Sequence, residues 1–213
     1  MKFIKNQFTL ANKYMVKELG VIFLAIYALF ILGCVASYFT VRFLPEDFAN
    51  ILMAEMEAVF DSAGVVDEAG NISFLMLFLN NSRVGLMLFF TGFVPFIFIP
   101  LGISAFNAVI IGVVVGAAEI TTGVNAFLMV VTSILPHGIF EITAIVLSAS
   151  AGTRLCIAIC KKIFRKGKDE KILTHIKRYA ALLVIYIIPL LFIAAIIEGV
   201  VLPALADLIM NVI

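Results

Sequence analysis

Five charged or titratable side chains in the apolar parts of this sequence could do chemistry: Glu119, His137, Glu141, Arg154 and Glu198, with Asn107 as an uncharged companion. A charge in apolar surroundings is costly unless it is paired or reaches water, so each needs a reason to be there. His137 and Glu141 are four residues apart and share a face if both are helical. An imidazole beside carboxylates can hold a cation, relay a proton or orient a polar solute. Asn80, Asn81 and Arg83 form a second polar group ahead of a long uncharged run.

The elements that position them follow from hydropathy. The chain has 213 residues, is 63% hydrophobic and 14% charged, and has a mean hydropathy of +1.17. That excludes a soluble globular domain, and a net charge of +1 offers no basic field for nucleic acid. Leu19 to Val41 is a first crossing, preceded by Lys2, Lys5, Lys13 and Lys17. The run continues past Cys34, so it reads as a span and not as a cleaved leader. Val84 to Ala118 is 35 residues without a formal charge. As one helix it would be about 52 Å long, against a hydrocarbon core of about 30 Å, so it should cross twice. Pro95, Pro100, Gly102 and Asn107 offer places to bend, and the reversal is expected at residues 101–107. Ala126 to Leu135 reads as a short helix ending at Pro136-His137-Gly138, Ile139 to Cys160 as the fourth crossing, and Tyr179 to about Val201 as the fifth.

Charge sets the expected orientation. Between Arg42 and Arg83 lie seven acids, and Lys161 to Arg178 carries eight basic residues against Asp169 and Glu170. The positive-inside rule puts the N-terminus and the basic run in the cytoplasm and the acidic segment outside. The expected fold is an all-α polytopic membrane helix bundle with about five transmembrane helices, some short or broken at proline. Residues 1–18 form a cytoplasmic tail, 19–205 a single membrane domain and 206–213 an external tail. The domain includes an external amphipathic segment, 42–83, and a cytoplasmic basic loop, 161–178. Within the external segment, Phe48, Ile51, Leu52, Met56, Val59 and Phe60 recur at helical intervals, and residues 67–71 form a turn.

Counting from the inner boundary, Glu141 lies 20 residues before Lys161 and Glu198 lies 20 after Arg178, so both fall near the outer edge. Glu119 follows the third crossing at the same level. The expectation is one outward-facing polar pocket built from Asn80, Arg83, Glu119, His137, Glu141 and Glu198. Asn107 sits at the inner bend, and Arg154 snorkels toward inner headgroups. Plainer roles fit the same residues: His137 between Pro136 and Gly138 suits the backbone groups freed by a helix break, and Glu119 and Glu198 suit simple hydration. Cys34, Cys156 and Cys160 read as packing residues. No His-Glu-x-x-His, phosphate loop or serine elbow is present, so no metal, cofactor or catalytic residue is expected and the chain reads as a non-enzyme.

Leu135-Pro136-His137-Gly138-Ile139-Phe140-Glu141, followed by Ala149-Ser150-Ala151-Gly152, resembles the central signature of the stage II sporulation protein M family. Asn80-Asn81-Ser82-Arg83-Val84 is similar to that family's entry into its second helix. Phe106-Asn107-Ala108 with Gly112 resembles its aromatic-Asn-Gly segment, with Ala108 in place of glycine. The resemblance covers about residues 20–205 and implies a multi-pass inner-membrane protein. For the sporulation member it implies a scaffold that anchors two cell-wall-degrading partners at the septal membrane. The expected partners are therefore the lipid bilayer and membrane or envelope proteins, with no nucleic acid, and a homo-oligomer is compatible with the composition. A small transporter, or the membrane subunit of one for a lipid or small polar solute, is the alternative, and a membrane-embedded metalloenzyme using His137 and Glu141 is the third.

Overall fold

The computed structural model describes residues 2–62, 64, 73–164 and 171–204, with the side chains of 2–4 and 60–62 left undescribed. Among the described residues every regular element is a helix. In chain order they are α1 (Lys2–Tyr14), α2 (Gly20–Arg42), α3 (Glu46–Ser62), α4 (Phe74–Phe90), α5 (Ile99–Thr122), α6 (Ala126–Met129), α7 (Leu135–Ile163), α8 (Ile172–Leu182) and α9 (Ile188–Ile196). Four π-helical turns, Met15–Leu19, Val130–Ile134, Leu183–Ile187 and Ile197–Val201, join or extend these helices without ending them.

Among the described residues five helical runs are long and apolar enough to cross a membrane: Lys5–Arg42, Phe74–Phe93, Ile99–Thr122, Ala126–Ile163 and Ile172–Ala204. Their outward faces are apolar too, with Val21 84% and Phe127 76% exposed. A helix that leaves such side chains uncovered is matched to lipid as its solvent. The protein is an all-α membrane protein with five spans.

Several boundaries differ from the sequence expectation. The first, second and fifth spans begin at Lys5, Phe74 and Ile172, ahead of the expected Leu19, Val84 and Tyr179, so the second takes in the end of the segment 42–83 expected outside. Two breaks also lie elsewhere. The reversal between the second and third spans lies at residues 91–98, where Phe96 (φ 71°) and Phe98 (φ 52°) take left-handed backbone, and α5 runs unbroken through Gly102 and Asn107. Pro100 falls in the first turn of α5, where its missing N–H removes no helical bond. Pro136 likewise does not end a helix. It follows the π turn Val130–Ile134, and Leu135 N–H donates to the Val130 carbonyl, so the wider turn absorbs the ring and the helix continues to Ile163. The expected turn at residues 67–71 and the tail at 206–213 lie outside the described residues.

Contacts divide the chain into two units, each taking parts of the long helices. The first comprises Met1–Phe30, Ser82–Ala105 and Ile142–Leu190. In it, α1 packs on α8, the Phe89 and Tyr179 rings stack 3.8 Å apart, and the Tyr179 hydroxyl donates to the Gly85 carbonyl at 3.0 Å. Gly152 lies directly on the α4 backbone, where a Cβ would overlap the Leu88 carbonyl, and a Cβ on Gly92 would overlap the Gly152 carbonyl. The reversal is tied to α7: Cys156 Sγ donates to the Val94 carbonyl at 3.4 Å, and the Phe96 N–H donates to Cys160 Sγ at 3.3 Å. These cysteines therefore do more than fill space.

The second unit comprises Ile31–Asn81, Phe106–Glu141 and Leu191–Ile213. Here α3 packs Ala49 against Val41 and Ala117, flanked by Leu52 and Met53. Ala49 is buried and Leu52, Met53 and Met56 are half-buried, while Phe48, Ile51 and Val59, of the same apolar set, are exposed.

Candidate functional site

The second unit brings together three of the sequence candidates. His137 and Glu141 project one turn apart from α7, and Glu198 comes from the π turn Ile197–Val201. One ligand atom from each of the three lies within 4.8 Å of the others, and all three residues are partly buried. His137 Nε2 is 3.8 Å from Glu198 Oε2, close enough for ionic attraction and too far for a hydrogen bond.

Helix packing explains the convergence. Phe74, Leu77, Phe78 and Asn81 recur at the spacing of one face of α4. Phe74 abuts Gly199, beside Glu198, where a Cβ would come within 2.7 Å of the Phe74 Cβ. Leu77 packs on Ala195, and the Phe78 and Phe192 rings meet edge to face at 5.7 Å. The same stripe ends at Asn81, whose side chain hydrogen-bonds Glu141. Of the polar group Asn80, Asn81 and Arg83 named from the sequence, Asn81 is the one that meets Glu141.

Glu119 has partners of its own in this unit. Its Oε2 accepts from the Tyr38 hydroxyl at 2.7 Å and pairs with Arg42 Nη1 at 3.3 Å, while Oε1 accepts from Ala126 N–H at 3.2 Å. Gly123 (φ 72°) closes α5, and Asn125 caps α6 through Leu128 N–H, so Glu119 stitches the α5–α6 turn to the end of α2. Tyr38 and Arg42 at i and i+4 on α2 were the signal for this pairing.

In the first unit, Arg154 does not simply reach for headgroups. Its Nη2 lies 3.7 Å from Glu18, and Arg178 Nη1 lies 2.8 Å from the same carboxylate. Glu18 is the sole acid in the first 45 residues, which was its sequence signal. Arg83 belongs to this unit and is exposed, whereas Asn80 and Asn107 are half-buried in the second. Asn107 sits within α5 and not at a bend.

The π turns carry a pattern of their own. Met15–Leu19 holds Glu18, Leu183–Ile187 holds Tyr186, which hydrogen-bonds Asn12, Ile197–Val201 holds Glu198, and Val130–Ile134 immediately precedes the His137 turn. A π turn widens the helix and redirects side chains, and each one here lies beside a polar contact. Chemically, the His137 group offers one imidazole and two carboxylates.

The comparisons with known proteins agree with this architecture. A family model described as stage II sporulation protein M matches residues 26–203. An uncharacterized protein of Methanocaldococcus jannaschii is 37% identical over 140 residues, covering 63% of this chain and 73% of that protein. No solved structure matches the chain. A match spanning both polar centres of the second unit and all of α5 to α9 leaves one assignment: the chain belongs to the stage II sporulation protein M family.

Proposed function

We propose that this protein is a non-enzymatic scaffold of the cell membrane, with its N-terminus in the cytoplasm and its C-terminus outside, that holds partner proteins through its external segment. The family's sporulation member is such an anchor, and the observation that carries the reading here is α3. This helix is fastened to the membrane helices by Ala49, Leu52 and Met53, yet it leaves Phe48, Ile51 and Val59 exposed beside the exposed carboxylates of Glu46, Asp47, Glu55 and Glu57. An apolar strip rimmed by charge is the anatomy of a docking surface.

The test is purification from cross-linked native membranes. A discrete assembly heavier than any homo-oligomer, lost in Ile51→Glu and kept in His137→Ala, supports the scaffold. A pure protein that moves lipid or solute across proteoliposomes without a partner overturns it in favour of the second reading, a small transporter or transport subunit. That reading draws on the polar triad, with Glu198 in one π turn and His137 just after another, since irregular helix turns with polar groups are where transport sites are built.

A further inference from the structure

We infer that His137, Glu141 and Glu198 form a binding site for a divalent first-row transition-metal ion of the Zn2+ class. Three observations converge on this. The first is the ligand set: an imidazole nitrogen and two carboxylate oxygens within 4.8 Å of one another, from two different helical runs. A tetrahedral ion with bonds of about 2.0–2.2 Å holds its ligand atoms about 3.3–3.6 Å apart. The 3.8 Å between His137 Nε2 and Glu198 Oε2 is near that edge, and small torsional changes of the two glutamates close the remainder.

The second observation is charge balance. Two carboxylates this close repel one another strongly in low-dielectric surroundings. The ion pairs found among the described residues bring neither carboxylate a lysine or arginine. A protonated histidine would leave the group with one net negative charge. A divalent ion with a neutral imidazole leaves none, which is the arrangement a membrane interior tolerates best.

The third is the supporting shell. Asn81 hydrogen-bonds Glu141 and holds that carboxylate in place. Nδ1 of His137 is buried without a hydrogen bond of ordinary geometry, and the Ser133 backbone, one turn earlier, interacts with the imidazole. Metal-binding histidines typically use one ring nitrogen for the ion and direct the other to a backbone or carboxylate oxygen, and ligating carboxylates are themselves hydrogen-bonded. The nitrogen donor favours a first-row transition ion over Mg2+ or Ca2+, and three protein ligands leave one tetrahedral position open.

The experiment uses full-length protein, purified through a tag without histidines in mild detergent, stripped with chelator and equilibrated with Zn2+. Wild type should retain one ion per chain by elemental analysis. His137→Ala, Glu141→Gln and Glu198→Gln should each lose it, Asn81→Ala should bind about 10–100-fold more weakly, and Glu119→Gln should match wild type. X-ray absorption on loaded wild type should show nitrogen and oxygen donors without sulfur, which keeps the test decisive even if a variant fails to fold. A wild type that retains no ion, retention by His137→Ala and Glu141→Gln, a sulfur shell, or displacement of Zn2+ by equimolar Mg2+ would each overturn the site. The inference stands apart from the scaffold reading: metal is scored on the isolated chain, partner capture in native membranes.

Discussion

The Tyr38 hydroxyl donates to Glu119 at 2.7 Å while Arg42, one turn further along α2, pairs with the same carboxylate oxygen at 3.3 Å. The two contacts differ in burial, since the Arg42 side chain is 51% exposed and an exposed ion pair adds little. Tyr38→Phe should therefore cost about 1 kcal/mol, a few degrees in the thermal midpoint in detergent, and Arg42→Ala less. Equal losses, or a larger one for Arg42→Ala, would show that the ion pair, and not the phenol, holds the turn.

Glu18 bridges Arg154 and Arg178, and all three side chains are about four-fifths covered. Removing the shared acid takes one carboxylate away from two largely covered arginines at once. Glu18→Ala should destabilise the protein by about 2–4 kcal/mol, and adding Arg178→Gln should restore part of the loss. Additive effects in that double-mutant cycle would mean that the acid and Arg178 do not act on one another.

The number of spans was readable from hydropathy because about 20 apolar residues must pass through a core of fixed thickness. The exact breaks were not. Pro100 and Pro136 read as helix breakers, yet one sits in a first turn and the other follows a π turn, positions where the missing N–H costs little. The true reversal rests on Phe96 and Phe98 at positive φ, a conformation their residue type does not advertise. The site divides in the same way. His137 and Glu141 were legible from their i, i+4 spacing, and Glu198 from its depth. Glu119 shares that depth but pairs with Tyr38 and Arg42, because depth along a helix says nothing about which neighbour it faces. Asn81 was legible beside Asn80 and Arg83, but which of the three faces Glu141 required the packing register of α4, set by Phe74, Leu77 and Phe78.

Gly152 has the Leu88 carbonyl where its Cβ would be, whereas a Cβ on Gly102 would meet nothing within 4 Å. Gly152→Ala must push α7 from the α4 backbone and should cost about 1–3 kcal/mol or prevent folding. Gly102→Ala should be neutral or slightly stabilising, as alanine is the better helix former. Thermal midpoints of the two variants, run side by side, check the contrast, and equal sensitivity would refute the close approach.

Cys160 accepts the Phe96 N–H in the left-handed reversal at residues 91–98. Cysteine-to-alanine at this position removes an acceptor without adding bulk. Hydrogen exchange should then speed up at 91–98 and stay unchanged at the Gly123 turn, which has its own bond to Glu119. Uniform acceleration across both turns would show a general loss of stability and not a local anchor.

The proposed orientation rests on lysine and arginine alone, because acids contribute little to topology. Four basic residues lie within positions 2–17 and nine from Arg154 to Arg178. Glu55 on α3 and Lys171 before α8 are both exposed and fall on opposite sides in this arrangement. In intact cells, Glu55→Cys should react with an impermeant maleimide above the background of the parent chain, and Lys171→Cys only after permeabilisation. The reverse pattern would invert the protein. It would place α3 in the cytoplasm and remove any envelope partner from its reach, so this one labelling experiment also bears on the scaffold proposal.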